Sequence, residues 1–83
     1  MIRVDILRAN HTFVECVNGT FYEGEYYIGR MSKDGKSYVV RSSEGYWIPL
    51  VRFTWAKTNA VLFTKRFMAV NKVYFQNYEE LKV

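Results

Sequence analysis

Between Tyr26 and Leu50 the chain spells three runs rich in β-branched and aromatic residues, Tyr26-Tyr27-Ile28-Gly29-Arg30-Met31, Ser37-Tyr38-Val39-Val40-Arg41-Ser42 and Tyr46-Trp47-Ile48-Pro49-Leu50. Two turns of similar spelling separate them, Lys33-Asp34-Gly35 and Ser43-Glu44-Gly45. A three-residue hairpin loop of this kind needs a residue in the left-handed region before the return strand, and glycine reaches it without steric cost. The stretch therefore predicts a three-stranded antiparallel meander. With three residues in each loop, Arg30 falls opposite Tyr38, Ile28 opposite Val40 and Val40 opposite Ile48. One face then carries Tyr26, Ile28, Tyr38, Val40, Tyr46, Ile48 and Leu50. A two-residue Asp34-Gly35 loop would set Ile28 against Arg41 and Lys33 against Lys36, and a one-residue slip exchanges the faces of a strand. Apolar pairing favours the first register. The other face carries Tyr27, Gly29, Met31, Val39, Arg41, Trp47 and Pro49, with Tyr27, Arg41 and Trp47 in one cross-strand row, a guanidinium between two rings.

Working outward, Ile2, Val4 and Ile6 alternate with Arg3 and Asp5, the pattern of a half-buried strand over residues 2–8. A second run over 12–17 leads to Asn18-Gly19, a strong two-residue hairpin signal that would pair Val17 with Thr20 and Cys16 with Phe21. Gly24 lets the chain bend into the meander. Beyond Pro49, which belongs at a strand edge because it lacks a donor, Val51-Arg52-Phe53 reads as a short turn and Phe53–Ala56 as a strand. From Ala60 two patterns compete. Ala60, Phe63, Phe67, Val70 and Tyr74 have helical spacing, whereas Val61, Thr64, Val70, Val73 and the aromatic rings prefer strands, with Asn71-Lys72 closing a hairpin. The strand reading is favoured, and a helix around 60–70 is the alternative. Asn77 to Glu80 resembles the cap of a final helical turn.

The 83 residues, 49% hydrophobic and 18% aromatic, are expected to form a single domain over 1–83 with a small, ring-filled core. The net charge of +4 is uneven. Residues 41–72 hold Arg41, Arg52, Lys57, Lys65, Arg66 and Lys72 against Glu44 alone, a balance of +5. A basic half suggests nucleic acid or an acidic protein surface as partner. Cys16 is the single cysteine, which excludes an internal disulfide, and its apolar context predicts burial. With one His, one Cys and no phosphate-binding glycine loop, neither a catalytic triad, a metal site nor a cofactor site can be spelled, and the expectation is a protein without enzymatic activity. Met1–Asp5 lacks the shape of a signal peptide and no apolar run is long enough to span a bilayer, so the expected compartment is the cytoplasm.

Phe21-Tyr22-Glu23-Gly24-Glu25-Tyr26-Tyr27-Ile28 resembles the diverging turn of SH3-like barrels. Gly45-Tyr46-Trp47-Ile48-Pro49 through Phe53 is similar to the stretch leading into their one-turn helix. The resemblance covers roughly residues 20–56 and implies a small antiparallel barrel with extra C-terminal strands. There is no acidic loop and no tyrosine-rich first strand, so proline-peptide binding is not carried over. Size and Tyr, Phe and Lys usage also resemble small early proteins of bacteriophages, many of which bind and disable one host factor.

Two binding surfaces follow. Tyr27, Arg41 and Trp47 are the residue types that most often dominate binding energy, and they point to a protein partner. The implied partner is a host factor that handles nucleic acid or serves defence. If the C-terminal strands cover that face, the same row is inner core. Arg52, Lys57, Lys65, Arg66 and Lys72 form a candidate basic patch for the phosphates of a nucleic acid, with rings stacking on bases. A third reading is an assembly protein that forms homo-oligomers through an exposed edge.

Overall fold

The computed structural model describes residues 1–52, 63 and 65–76. Seven strands follow in order: β1 (Ile2–Ala9), β2 (Phe13–Val14), β3 (Thr20–Phe21), β4 (Tyr26–Met31), β5 (Ser37–Arg41), β6 (Trp47–Arg52) and β7 (Phe67–Phe75). The protein is mainly β. Five strands form an antiparallel sheet in the order β6-β5-β4-β1-β7, and β2 pairs with β3 in a separate small hairpin. Phe63, Lys65 and Arg66 lie in a helical turn that delivers the chain to β7.

The meander is present, and its second hairpin has the expected register: Val40 faces Ile48 and Arg41 faces Trp47. Ser43-Glu44-Gly45 forms the loop, Gly45 taking φ 93° and donating to the Ser42 carbonyl at 2.9 Å. The first hairpin is shifted by one residue, into the register set aside above that puts Ile28 against Arg41. Gly29 faces Val40, Arg30 faces Val39 and Met31 faces Tyr38. The cause is polar. Ser32 donates its amide to the Ser37 carbonyl, so four residues make the loop. The Asp34 carboxylate accepts from the Ser32 hydroxyl at 2.6 Å and the Lys36 amide at 3.0 Å, a side-chain turn that three residues would not accommodate. These hydrogen bonds hold the Asp34 carboxyl below its ordinary range, the Ser32 hydroxyl contributing most.

That slip turns β4 over. Tyr27, expected on the outer face, is buried at 7% exposure in a core with Leu7, Ala9, Phe21, Val40, Ile48, Leu50 and Phe67. Tyr26 and Ile28, expected inside, lie on the outer face, Tyr26 at 61% exposure. A tyrosine can replace an isoleucine in a core when its hydroxyl finds partners. The Tyr27 hydroxyl accepts from the Tyr22 amide at 2.7 Å and shares a 2.8 Å hydrogen bond with the Ser43 hydroxyl.

β1 sits between β4 and β7 and is buried from both sides: Leu7 and Ala9 belong to the core cluster, while Val4 is buried on the opposite face. The expected Ile2/Val4/Ile6 face therefore gives only half of its role. The β2–β3 hairpin pairs Phe13 with Phe21 and Val14 with Thr20 rather than closing at Asn18-Gly19. Asn18 does take positive φ, at 61°, but inside a longer turn in which Glu15 donates to the Gly19 carbonyl. Cys16 lies in that turn and is exposed, against the expected burial. Val51-Arg52 extends β6 instead of turning, and the step that absorbs it is a bulge beside Pro49, on the edge strand where a missing donor is tolerated. Asn71-Lys72 is not a turn; it continues β7, with a bulge opposite Ile6/Leu7. The strand reading holds over 67–75, and among the described residues helix is found at 63, 65 and 66, just before it. The Phe53–Ala56 strand and the Asn77–Glu80 turn lie outside the described residues.

Candidate functional site

The register collects a distinct set of side chains on the outer face of the meander. Arg41 is paired with Trp47 across β5 and β6. The guanidinium over the Trp47 ring, however, belongs to Arg30, at 4.3 Å from its centroid. Arg30 faces Val39 on the same side of the sheet, so it crosses diagonally to a ring two residues from its own row. The expected row of Tyr27, Arg41 and Trp47 is thus split. Arg41 and Trp47 stay together, Tyr27 has moved into the core, and Tyr26 takes the outer position. Arg30 was missed because the wrong register put it on the inner face.

Where the meander meets the β3–β4 turn, an open cleft of about 480 Å³ is lined by Tyr22, Glu25, Tyr26, Tyr27, Ile28, Arg41, Ser42, Ser43 and Gly45. Its floor is rigid by construction. Gly24, at φ 81°, completes the turn that places Tyr22 and Glu25 on the rim, Glu25 donating to the Tyr22 carbonyl at 3.1 Å. Buried Ser42 donates its hydroxyl to the Asn18 carbonyl at 2.5 Å, and Ser43 donates its amide to the Thr20 carbonyl at 3.0 Å. The Thr20 amide in turn donates to Glu44 Oε1 at 3.0 Å. Residues 42–44 are therefore bound to the small hairpin at three points. Arg41 Nε donates to the Gly45 carbonyl at 3.3 Å, which keeps its guanidinium over this loop. The rim is aromatic and open: Tyr22 and Tyr26 are both half exposed or more.

Glu44 is held below the ordinary glutamate range by hydrogen bonds from Thr20, its side chain first and its amide second. A depressed carboxyl stabilises the fold above its unfolded value of 4.5 and loses that contribution as pH falls through the lowered folded value. The Thr20 amide resonance is accordingly expected to shift on acidification with a midpoint below 4.5, and Glu44→Gln to abolish that transition. A midpoint at or above the ordinary value would show that the loop is not docked through this carboxylate.

The basic residues are dispersed. Arg52 ends β6 at one edge of the sheet, Lys72 lies on β7 at the other, and Lys65 and Arg66 belong to the helical turn. Arg66 is engaged twice, in an ion pair with Glu15 and over the Phe13 ring at 4.5 Å. Lys57 lies outside the described residues. A single patch built from these five does not form among the described residues. Lys72 borders a second cleft, of about 400 Å³, with Arg3, Asp5, Ala69, Val70 and Asn71, where Arg3 already pairs with Asp5 at 3.2 Å.

Among the described residues no group of His, Cys, Asp and Glu could hold a metal ion, and no helix is long and apolar enough to cross a membrane. Comparisons with family models, with curated proteins and with solved structures found no match to this chain.

Proposed function

We propose that this chain is a non-catalytic binding protein acting through an aromatic–arginine face on a macromolecular partner. One observation carries the reading: Arg41, Trp47 and Arg30 form a contiguous group on the outer face, next to the exposed ring of Tyr26 and above a rigid cleft. Trp, Tyr and Arg combine large contact area with directed charge, and they dominate alanine-scanned interfaces. The preferred partner is a protein with an acidic surface, a host factor handling nucleic acid or defence that a bacteriophage product would disable; this step leans on compositional resemblance. The meander and the turn at Gly24 speak for the SH3-like resemblance over residues 20–56. Assembly into homo-oligomers through the β7 edge, which exposes Met68, Val70, Val73 and Tyr74, is a further reading.

Capture from a bacterial lysate with the tagged chain, compared with Arg41→Glu and Trp47→Ala, tests the binding face. A partner retained by the parent and reduced at least tenfold by both substitutions is expected, with both variants still folded. Each removal is expected to weaken binding by about 1–2 kcal/mol or more, the range of an interface anchor. Equal capture by all three chains sinks the assignment of this face. Light scattering at high concentration separates the assembly reading, which requires a dimer or larger species.

A further inference from the structure

Arg8 faces Tyr26, Arg30 faces Val39, Arg41 faces Trp47 and Arg52 faces Ser37. Directly paired residues share a face, so these four arginines from four strands lie on one side of the sheet with both rings. Asp5, the one carboxylate within the described strands, is on the other side, hydrogen-bonded to Tyr38 at 2.5 Å. The outer face therefore carries an arginine on each of β1, β4, β5 and β6, set around Val4 and Val39, which are buried on the same face. None of this follows from the excess charge of residues 41–72, because Arg8 and Arg30 lie in residues 1–40, where five basic and five acidic groups balance.

We infer that this face binds single-stranded nucleic acid, with Arg8 and Arg41 on phosphates and Tyr26 and Trp47 stacking on unpaired bases. The inference rests on the binding face proposed above and assigns it a nucleic acid in place of an acidic protein. Cations alone would serve any acidic surface; the interleaved rings add platforms that only flat, unstacked bases use fully, at about 1–3 kcal/mol per stacked base. Duplex fits poorly, since a groove admits a helix or a two-stranded ribbon, not the face of a five-stranded sheet. The Arg30 guanidinium on Trp47 fixes that ring before any partner arrives. Glu25 on the cleft rim is the group that opposes a polyanion.

Fluorescence anisotropy with a labelled oligothymidylate of about 15 nucleotides tests this. A duplex of equal length and poly-glutamate serve as the competing probes. Micromolar or tighter binding at low salt is expected, with a log–log salt slope of roughly −1.4, about 0.7 for each of the two phosphates contacted. Arg8→Gln and Arg41→Gln should each flatten the slope by about 0.7. Trp47→Leu should weaken binding about tenfold at unchanged slope, Trp47→Phe should retain most of it, and Glu25→Gln should tighten it. The wild-type slope and the Glu25→Gln gain do not depend on a core residue, so a misfolded Trp47 variant would not decide the matter. Poly-glutamate bound through the same arginines, with no oligonucleotide binding, overturns the nucleic-acid assignment and leaves the binding face standing. Binding of neither probe overturns both.

Discussion

Phe21→Ala is expected to lower stability by about 3–5 kcal/mol, the range for removing a fully buried ring. For a domain of this size that corresponds to a fall in Tm of roughly 15–30 °C, and to a large part of a total stability of about 5–15 kcal/mol. Phe21 is at 0% exposure in a strand of only two residues. Its ring stacks on Phe13 at 5.0 Å and meets Tyr27 and Phe67 edge-on at 4.9 and 5.3 Å. These three neighbours belong to β2, β4 and β7, so one side chain joins the small hairpin to the main sheet and to its last strand. With two residues per strand, backbone pairing alone would not hold that hairpin. Thermal unfolding followed by circular dichroism checks the effect, with the half-buried Phe13→Ala as the comparison. A loss under about 1 kcal/mol would show that the cluster repacks and that Phe21 is not its centre.

Gly29→Ala is the second substitution with a large expected effect, about 2–4 kcal/mol, an overpacking penalty plus a disrupted buried hydrogen bond. Gly29 does not have a positive φ; the constraint is space. A methyl group there would stand 2.5 Å from Tyr38 Oη, 2.7 Å from Tyr38 Cε1 and 2.8 Å from Leu7 Cδ1. Tyr38 lies across β4 at this point to donate its hydroxyl to Asp5 on β1 at 2.5 Å, and it packs edge-on against Phe63 at 5.2 Å. It cannot move aside without breaking one or both contacts. Burial, with the Asp5 hydrogen bond second, raises the Tyr38 phenol well above its ordinary value of 10.0, so the contact is intact throughout the neutral range and weakens only in strong alkali. In a Tyr38→Leu background the Gly29→Ala substitution should cost less, since two of the three clashing atoms are gone. Urea unfolding of the four chains of that cycle gives the answer, and additive losses would mean that Leu7 rather than Tyr38 sets the constraint.

How much of this was legible in the sequence can be followed residue by residue. The second hairpin could be read because Gly45 must take a left-handed conformation, which fixes loop length. Asp34-Gly35 looked equivalent, but its geometry is set by Ser32 and Ser37, whose polar pairing carries no apolar signal. Apolar pairing rejected the register the chain adopts, and that one-residue choice exchanged Tyr26 and Ile28 for Tyr27 and Gly29. The site inherited the error: Arg41 and Trp47 were placed together correctly, Tyr27 was not, and Arg30 was missed. Arg8 could not have been found at all, because its place depends on β1 lying beside β4, a pairing that no local pattern specifies. Tertiary satisfaction of the Tyr27 hydroxyl by Tyr22 and Ser43 is likewise invisible to a reading by hydropathy. The β-class itself was legible from branched and aromatic composition, and the strand over 67–75 prevailed over helical spacing for the same reason.

The central place of β1 has a consequence for how the molecule is made. Its eight residues are synthesised before β4 and β7, between which they finally lie. Until the last strand has left the ribosome, one side of β1 presents an unsatisfied row of amides and carbonyls, with Leu7 and Ala9 poised to bury. Such an edge invites foreign strands, and its closure by residues 58 to 73 positions away demands a long-range encounter that slows folding. Nascent chains stalled before Phe67 should therefore be protease-sensitive and held by chaperones, and protection should arrive in one step with β7.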